Sequence, residues 1–251
     1  MIDRRKRKDD LKRPVQDMIR LNRFISNSGV CSRRDADKLI LAGEIKVDGK
    51  IIKDLGTKVS VRSAIEYKGR RLNAEKKVYI LLNKPRGYVS TLDDPHAEKK
   101  VIDLVKNACP ERVYPVGRLD KDTTGVLLFT NDGELTKKLT HPSHRRKKIY
   151  HVFLNKALTK NDMIKLTQGI DIDEIVKADS VAWPDPEDKS QVGIEIHSGQ
   201  NRVVRRMFEA LGYRVKKLDR VYFAGLTKKN IPRGKWRFLT ESEVNILKRA
   251  N

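Results

Sequence analysis

Hydrophobic and polar positions divide the chain into stretches with different periods. Leu21, Phe24 and Ile25 share one face of a short helix that Asn27 to Gly29 ends. Ser32 opens a second helix, with Asp35 three positions on as a partial capping box. Ala36, Leu39 and Ile40 make its buried stripe, and Gly43 is its stop. Alternation then replaces the helical period. Ile45 to Val47 and Lys50-Ile51 flank Asp48-Gly49, the dipeptide that suits a tight two-residue hairpin turn. Val59, Ile65 and Tyr67 continue the strands.

A polar stretch at 71–77 reads as a linker, and beyond it the apolar runs lengthen. Val78 to Leu82 predicts a buried strand closed by Lys84-Pro85-Arg86-Gly87. Val126 to Thr130 predicts another, ending at Asn131-Asp132-Gly133 and preceded by turn residues Thr123, Thr124 and Gly125. Ile149 to Leu154 alternates, as do Val192, Ile194 and Ile196. Residues 199–211 carry Val203, Val204, Met207, Phe208 and Leu211 on one helical face. Thr240 and Glu243 form a capping box for a final helix. Strands outnumber helices and no regular strand–helix–strand repeat occurs. The expected class is α+β: a small N-terminal unit over 18–70, then a larger domain over 78–251 on an antiparallel or mixed sheet.

Composition changes this picture in one main respect. The 251 residues include 55 Lys+Arg against 33 Asp+Glu, a formal net charge of +22. Such a charge attracts polyanions over long range and makes affinity sensitive to salt. Residues 18–75 alone hold 13 Lys+Arg and 7 Asp+Glu, a net of +6. Arg20, Arg23, Arg33, Arg34 and Lys38 fall off the apolar stripes of the two helices, and Lys46 sits in the hairpin. These six are the candidate RNA-contacting residues. Residues 1–17, charged and poor in apolar side chains, read as a disordered basic arm rather than a signal peptide. No apolar run approaches the roughly 20 residues that span a bilayer, so a cytoplasmic chain is expected. Cys31 and Cys109 do not suggest a disulfide framework, and His141 and His144 lack the companions that zinc needs.

Candidate chemistry centres on Tyr114 to Gly133. Asp120 stands just before an apolar strand that can hold it rigidly. Arg118, two residues earlier, points the same way in extended backbone. Asp122 is a possible partner for Asp120, as an acid/base couple or as a metal ligand. In the 199–211 helix, Arg205 and Arg206 flank opposite edges of the apolar face, and periodicity alone does not choose between them. The chain has neither a phosphate-binding Gly-Lys-Ser/Thr motif nor a glycine-rich dinucleotide fingerprint. Cys109 sits before Pro110 in a loop-like stretch, and no activating His can be assigned to it.

Two resemblances follow from these residues. Ile19 to Ile25, Gly29 to Asp37 and Val47-Asp48-Gly49 resemble the alpha-L RNA-binding domain typified by a small-subunit ribosomal protein. Gly117-Arg118-Leu119-Asp120 with Thr124-Gly125 and Thr130 to Gly133 is similar to the catalytic motif of the ribosomal RNA pseudouridine synthases of the RsuA/RluB type. Lys84 to Tyr88, Lys148-Ile149-Tyr150 and Gly199 to Phe208 match that family's other motifs in order, and together the two resemblances cover about residues 19–247. The large-subunit RNA branch is the nearer one.

The resemblance implies an isomerase that converts a uridine of ribosomal RNA to pseudouridine with no cofactor and no metal. Asp120 matches the essential aspartate and Tyr150 the tyrosine that stacks on the target uracil. Arg205 matches the basic partner of the aspartate, and Arg118 the arginine that helps to displace the target nucleotide. Ribosomal RNA or an assembling subunit is the expected partner, with a monomer as the default state. Two other readings fit parts of the chain. A non-catalytic RNA-binding or ribosome-assembly protein suits the charge, and a DNA-binding regulator suits the paired N-terminal helices.

Overall fold

The computed structural model describes residues 18–92 and 94–249, so the basic arm expected at 1–17 lies outside the described residues. The described residues separate into two compact units, one ending at Lys76 and the other beginning at Lys77.

In the first unit, strand β1 (Met18–Arg20) leads directly into helix α1 (Leu21–Asn27), and helix α2 (Arg33–Leu41) follows. Leu21, Phe24 and Ile25 are buried against Ala36 and Ile40, as the helical spacing predicts, while Leu39 is only partly covered. The Ser32 hydroxyl accepts from the Asp35 backbone N–H at 3.2 Å and caps α2. Strands β2 (Ile45–Val47) and β3 (Lys50–Ile51) pair through Asp48 and Gly49, both at positive φ, the turn the dipeptide foretold. Strand β4 (Lys58–Ser60) pairs back with β1, whereas β5 (Ile65–Tyr67) and β6 (Arg70–Arg71) extend the sheet begun by β2. The Leu72 and Glu75 N–H groups donate to the carbonyls of Ile65 and Asn27.

In the second unit, nine strands among the described residues form one mixed sheet. They are β7 (Tyr79–Lys84), β8 (Tyr114–Pro115), β9 (Thr123–Thr130), β10 (Lys148–Leu154), β13 (Ser180–Ala182), β14 (Gln191–Ile196), β15 (Val215–Phe223), β16 (Leu226–Thr227) and β17 (Trp236–Phe238). The main path runs β13-β14-β10-β15-β9-β7-β17. A small hairpin, β11 (Ile170–Asp171) with β12 (Ile175–Val176), stands apart.

The long apolar runs are explained by burial on both faces of the sheet. Ile80, Leu82, Leu127 and Phe129 face one core with helices α4 (Lys160–Gln168) and α5 (Val203–Ala210). Leu81, Val126 and Leu128 face a second core with helices α3 (Gly133–Thr140) and α6 (Glu241–Arg249). The capping box expected before α6 is present: the Thr240 N–H donates to the Glu243 carboxylate at 2.9 Å, and the Glu243 N–H to the Thr240 hydroxyl at 3.3 Å.

Two expectations are corrected. Thr123, Thr124 and Gly125 are not turn residues but the first residues of β9. They pair in parallel with Leu218, Asp219 and Arg220 of β15. Gly125 adopts φ +109°, and a Cβ there would stand 2.1 Å from the Arg220 carbonyl oxygen. The glycine therefore serves a close approach of two backbones rather than a reversal. The helix read over 199–211 begins only at Val203. Residues 199–202 form a loop, and Arg202 at φ +51° turns the chain sharply into the helix.

Candidate active site

The loop before β9 is pinned from below. Gly117 takes φ +73°, which lets the chain turn toward the sheet. Leu119 is buried, so Arg118 and Asp120 on either side of it both face outward into a cleft. The Ser90 hydroxyl donates to the Leu119 carbonyl at 2.7 Å and accepts from the Leu119 N–H at 3.1 Å. Lys84, fully buried at the end of β7, places its ammonium near the carbonyls of Asp120 (3.1 Å), Lys121 (3.3 Å) and Thr123 (2.8 Å). Burial pushes the Lys84 amine down to about 8, opposed by the charges of Asp120 and Asp122.

The opposite wall is the 199–202 loop with the first turn of α5. Two guanidinium groups approach Asp120 from it. Arg202 Nη1 lies 3.7 Å from Asp120 Oδ2, and Arg205 Nε lies 3.9 Å from the same oxygen. The two arginines differ in setting. Arg202 is about half exposed, whereas Arg205 is buried and its Nη1 donates to the Val215 carbonyl at 3.1 Å. The buried Arg205 Nε has no hydrogen-bond partner. Burial, followed by the Arg202 charge, lowers the Arg205 pKa, and Asp120 acts in the opposite sense. Periodicity left Arg205 and Arg206 equivalent, and the structure separates them. Arg206 turns away to the Asp173 carboxylate and the Ile172 carbonyl.

Between these walls lies a cleft of about 630 Å³, lined by Arg118, Asp120, Tyr150, Arg202 and their neighbours. Tyr150 is 8% exposed and forms part of the floor. Paired with it on the neighbouring strand is Arg220, whose buried guanidinium donates to the Val126 carbonyl at 2.9 and 2.8 Å. Lys148 holds the cleft loop from the far side. Its ammonium donates to the carbonyls of Arg146, His197 and Ser198 at 3.0 to 3.2 Å. Burial, helped by the Arg220 charge, pushes the Lys148 amine down to about 8. A carboxylate faced by two guanidiniums, above an aromatic floor in a basic cleft, suits a negatively charged substrate with a planar base.

The sequence-derived set Asp120, Arg118, Tyr150 and Arg205 therefore comes together, with Arg205 behind the carboxylate rather than in the cleft lining. Asp122 does not pair with Asp120. It accepts from Arg86 Nε at 2.8 Å in an exposed ion pair. The six candidate RNA contacts lie on the first unit, five of them exposed and Arg23 half-buried; Lys38 also pairs with Asp35. Sequence reasoning missed Arg202, because a helix over 199–211 placed it off the working face. It also missed the inward lysines 84 and 148 and the buried Arg220. The available signal at Lys84 was a cation closing the apolar run Ile80-Leu81-Leu82 at the end of a strand buried on both faces.

Comparison with known proteins places the chain in a family. Residues 78–210 match the family model described as RNA pseudouridylate synthase, and residues 19–65 match the S4 domain. The chain is 42% identical over 235 residues to the ribosomal large subunit pseudouridine synthase B of Bacillus subtilis, covering 92% of this chain and 96% of that one. It is 36% identical to the dual-specificity RNA pseudouridine synthase RluF of Escherichia coli, covering 90% of this chain and 77% of that one. A crystal structure of a pseudouridylate synthase superposes with a TM-score of 0.66 at 30% identity, over 91% of this chain and 99% of that one. The chain belongs to the RNA pseudouridylate synthase family, enzymes that isomerise uridine to pseudouridine within RNA. Within that family it is a member of the RsuA/RluB type that carries an S4 domain ahead of the catalytic domain.

Proposed function

We propose that this protein converts a uridine of ribosomal RNA, in the large subunit, to pseudouridine, with Asp120 as the catalytic carboxylate. The observation that carries this reading is the placement of Asp120 Oδ2 within 3.7 and 3.9 Å of two guanidiniums at the edge of a cleft floored by Tyr150. Family membership leaves the non-catalytic and DNA-regulator readings without support.

The reaction breaks the N1–C1′ bond, turns the uracil and joins C5 to C1′. The C5 proton is lost and N1 gains one, so atoms balance without a redox partner. Asp120 supplies the charged group that engages the sugar or the base while the glycosidic bond is exchanged. Arg205 and Arg202 hold it in position. Tyr150 provides the surface on which the uracil stacks and stands close to the proton that must leave C5. Arg118, exposed at the rim, occupies the space the target nucleotide leaves in its stack. Extruding a base costs a few kcal/mol, which phosphate contacts across the basic surface offset. Arg20, Arg23, Arg33, Arg34, Lys38 and Lys46 contribute to those contacts from the S4 domain. The enzyme acts as a monomer in the cytoplasm without a cofactor.

Mapping pseudouridine in ribosomal RNA from cells with and without the gene tests the substrate. One large-subunit uridine is expected to lose its modification in the deletion and regain it on complementation. An unchanged pseudouridine map in large-subunit RNA would overturn the assignment.

A further inference from the structure

One basic segment beside the cleft contributes only its last residue, Lys148, to the site around Asp120. From Leu135 to Tyr150 the chain has no Asp or Glu, while residues 137–148 hold Lys137, Lys138, Arg145, Arg146, Lys147 and Lys148 with His141 and His144. Both ends of this segment reach the cleft, since Thr140 and Tyr150 line it. Between them residues 141–149 leave the lining of the cleft. Thr140 sits against Gly117, where an added Cβ would stand 3.7 Å from the Thr140 methyl, so the segment starts beside Arg118.

The structure sorts the charges into two groups. Lys148 turns inward to three carbonyls, and buried Arg146 donates from Nε to the Lys138 carbonyl at 3.3 Å. Lys147 pairs with Glu195 at 2.7 Å. These three anchor the segment. Lys137, Lys138, His141, His144 and Arg145 are all exposed, and Lys137, Lys138 and Arg145 have no carboxylate partner among the described residues. Lys137 and Lys138 stand on the last turn of α3, and a hydrogen-bonded turn presents the two histidines and Arg145. His141 caps the short helical turn Pro142–His144, its Nδ1 accepting from the Ser143 N–H at 3.3 Å. In the neutral ring this assignment leaves Nε2–H as a donor. Arg145 then takes the left-handed conformation, φ +42°, at the end of the turn. That is an unusual position for arginine, and such strain tends to persist where the surroundings determine it.

We propose that this rim turn, with Arg145 and Lys137 as its principal cations and His141 and His144 as hydrogen-bonding groups, is a phosphate-binding site for the RNA strand flanking the target uridine. It lies within the catalytic domain and is separate from the S4 domain's contacts. It rests on the reading that RNA is the substrate, and it adds where the strand runs on leaving the cleft. An acidic protein partner would need carboxylates against the same cations. RNA is favoured because the segment is continuous with the lining of a cleft that must admit a nucleotide.

Binding and turnover of in vitro transcribed large-subunit ribosomal RNA test the proposal separately. Arg145→Asn removes the charge while tolerating the left-handed backbone, and Lys137→Gln acts on an exposed helix position. Each cation that contacts a phosphate contributes about 0.7 to 0.9 to the slope of log affinity against log salt. Arg145→Asn is expected to reduce the slope by about that amount, and the double variant by about twice as much. KM should rise severalfold, with Arg145→Lys restoring most of the loss. A salt slope and KM equal to wild type in the double variant would overturn the proposal. So would a loss confined to kcat with RNA affinity unchanged. If wild-type protein binds the RNA but converts no uridine, the proposed reaction fails, while the salt slopes still decide the phosphate site. A thermal melt on each variant identifies any loss caused by misfolding, and Arg145→Gly, which suits the same φ, provides the folded control lacking the charge.

Discussion

Replacing Lys84 with methionine removes a single charge from beneath the catalytic loop while nearly keeping the side chain's length. The Lys84 ammonium has no exposure and lies 2.8 to 3.3 Å from the carbonyls of Pro85, Asp120, Lys121 and Thr123. Three N–H groups are available, and each charge-assisted bond is worth about 1.5–3 kcal/mol, or about 5–9 kcal/mol together. Burying the ammonium takes back several kcal/mol. The difference predicts a loss of about 3 kcal/mol, which in a protein of this size lowers Tm by roughly 6–12 °C. Because the freed carbonyls belong to the residues carrying Asp120, kcat should fall by roughly 100-fold, the cost of displacing a catalytic group by about 1 Å. Thermal unfolding followed by single-turnover conversion of RNA measures both. The same amine makes a pH prediction. Its folded value, about 8, lies below the ordinary 10.5, so between these values the unfolded chain binds more protons than the folded one. Lys84 therefore adds stability as pH rises through this window, by at most about 3 kcal/mol, while losing one of the N–H groups that hold the loop. Activity should decline above about pH 8 without a matching fall in Tm from this group. A Lys84→Met protein with wild-type Tm and wild-type kcat would show that the buried ammonium does not hold the Asp120 loop.

Gly125→Ala places a methyl 2.1 Å from the Arg220 carbonyl oxygen at φ +109°, and should cost about 4 kcal/mol or more, read as a large drop in Tm; an unchanged melt would contradict the close approach of β9 and β15. Arg205→Gln should lower both kcat, by roughly 100-fold, and Tm, because it empties a buried position. Arg202→Gln, on a half-exposed side chain, should lower kcat with the melt unchanged; equal effects of the two substitutions on stability would argue against their different settings.

Patterns that depend on neighbours in the chain were legible in the sequence. The Ser32 cap, the Asp48-Gly49 hairpin and the Thr240–Glu243 box are each settled by residues within a few positions, and each formed as read. The buried strands β7 and β9 were legible because burial on both faces leaves unbroken apolar runs. What depended on distant partners was not. Gly125 reads as a turn residue until β15 is known to run beside it, 95 residues later in sequence at Arg220. Arg202 reads as a helical surface residue until the left-handed backbone turns it toward Asp120. Lys84 and Lys148 read as strand-end charges, and only the packed fold shows them collecting carbonyls from separate loops. Asp120 itself was found through its motif, whereas the two guanidiniums facing it come from a segment more than 80 residues away.

If the Asp120 carboxylate performs the isomerisation, Asp120→Asn must abolish it, since the amide keeps the shape and removes the charge. Purified variant and wild type are incubated with large-subunit ribosomal RNA, and pseudouridine is read by carbodiimide modification and primer extension. The variant is expected to bind RNA with affinity close to wild type and to give no stop at any uridine. Full conversion by the variant would contradict the role of the carboxylate.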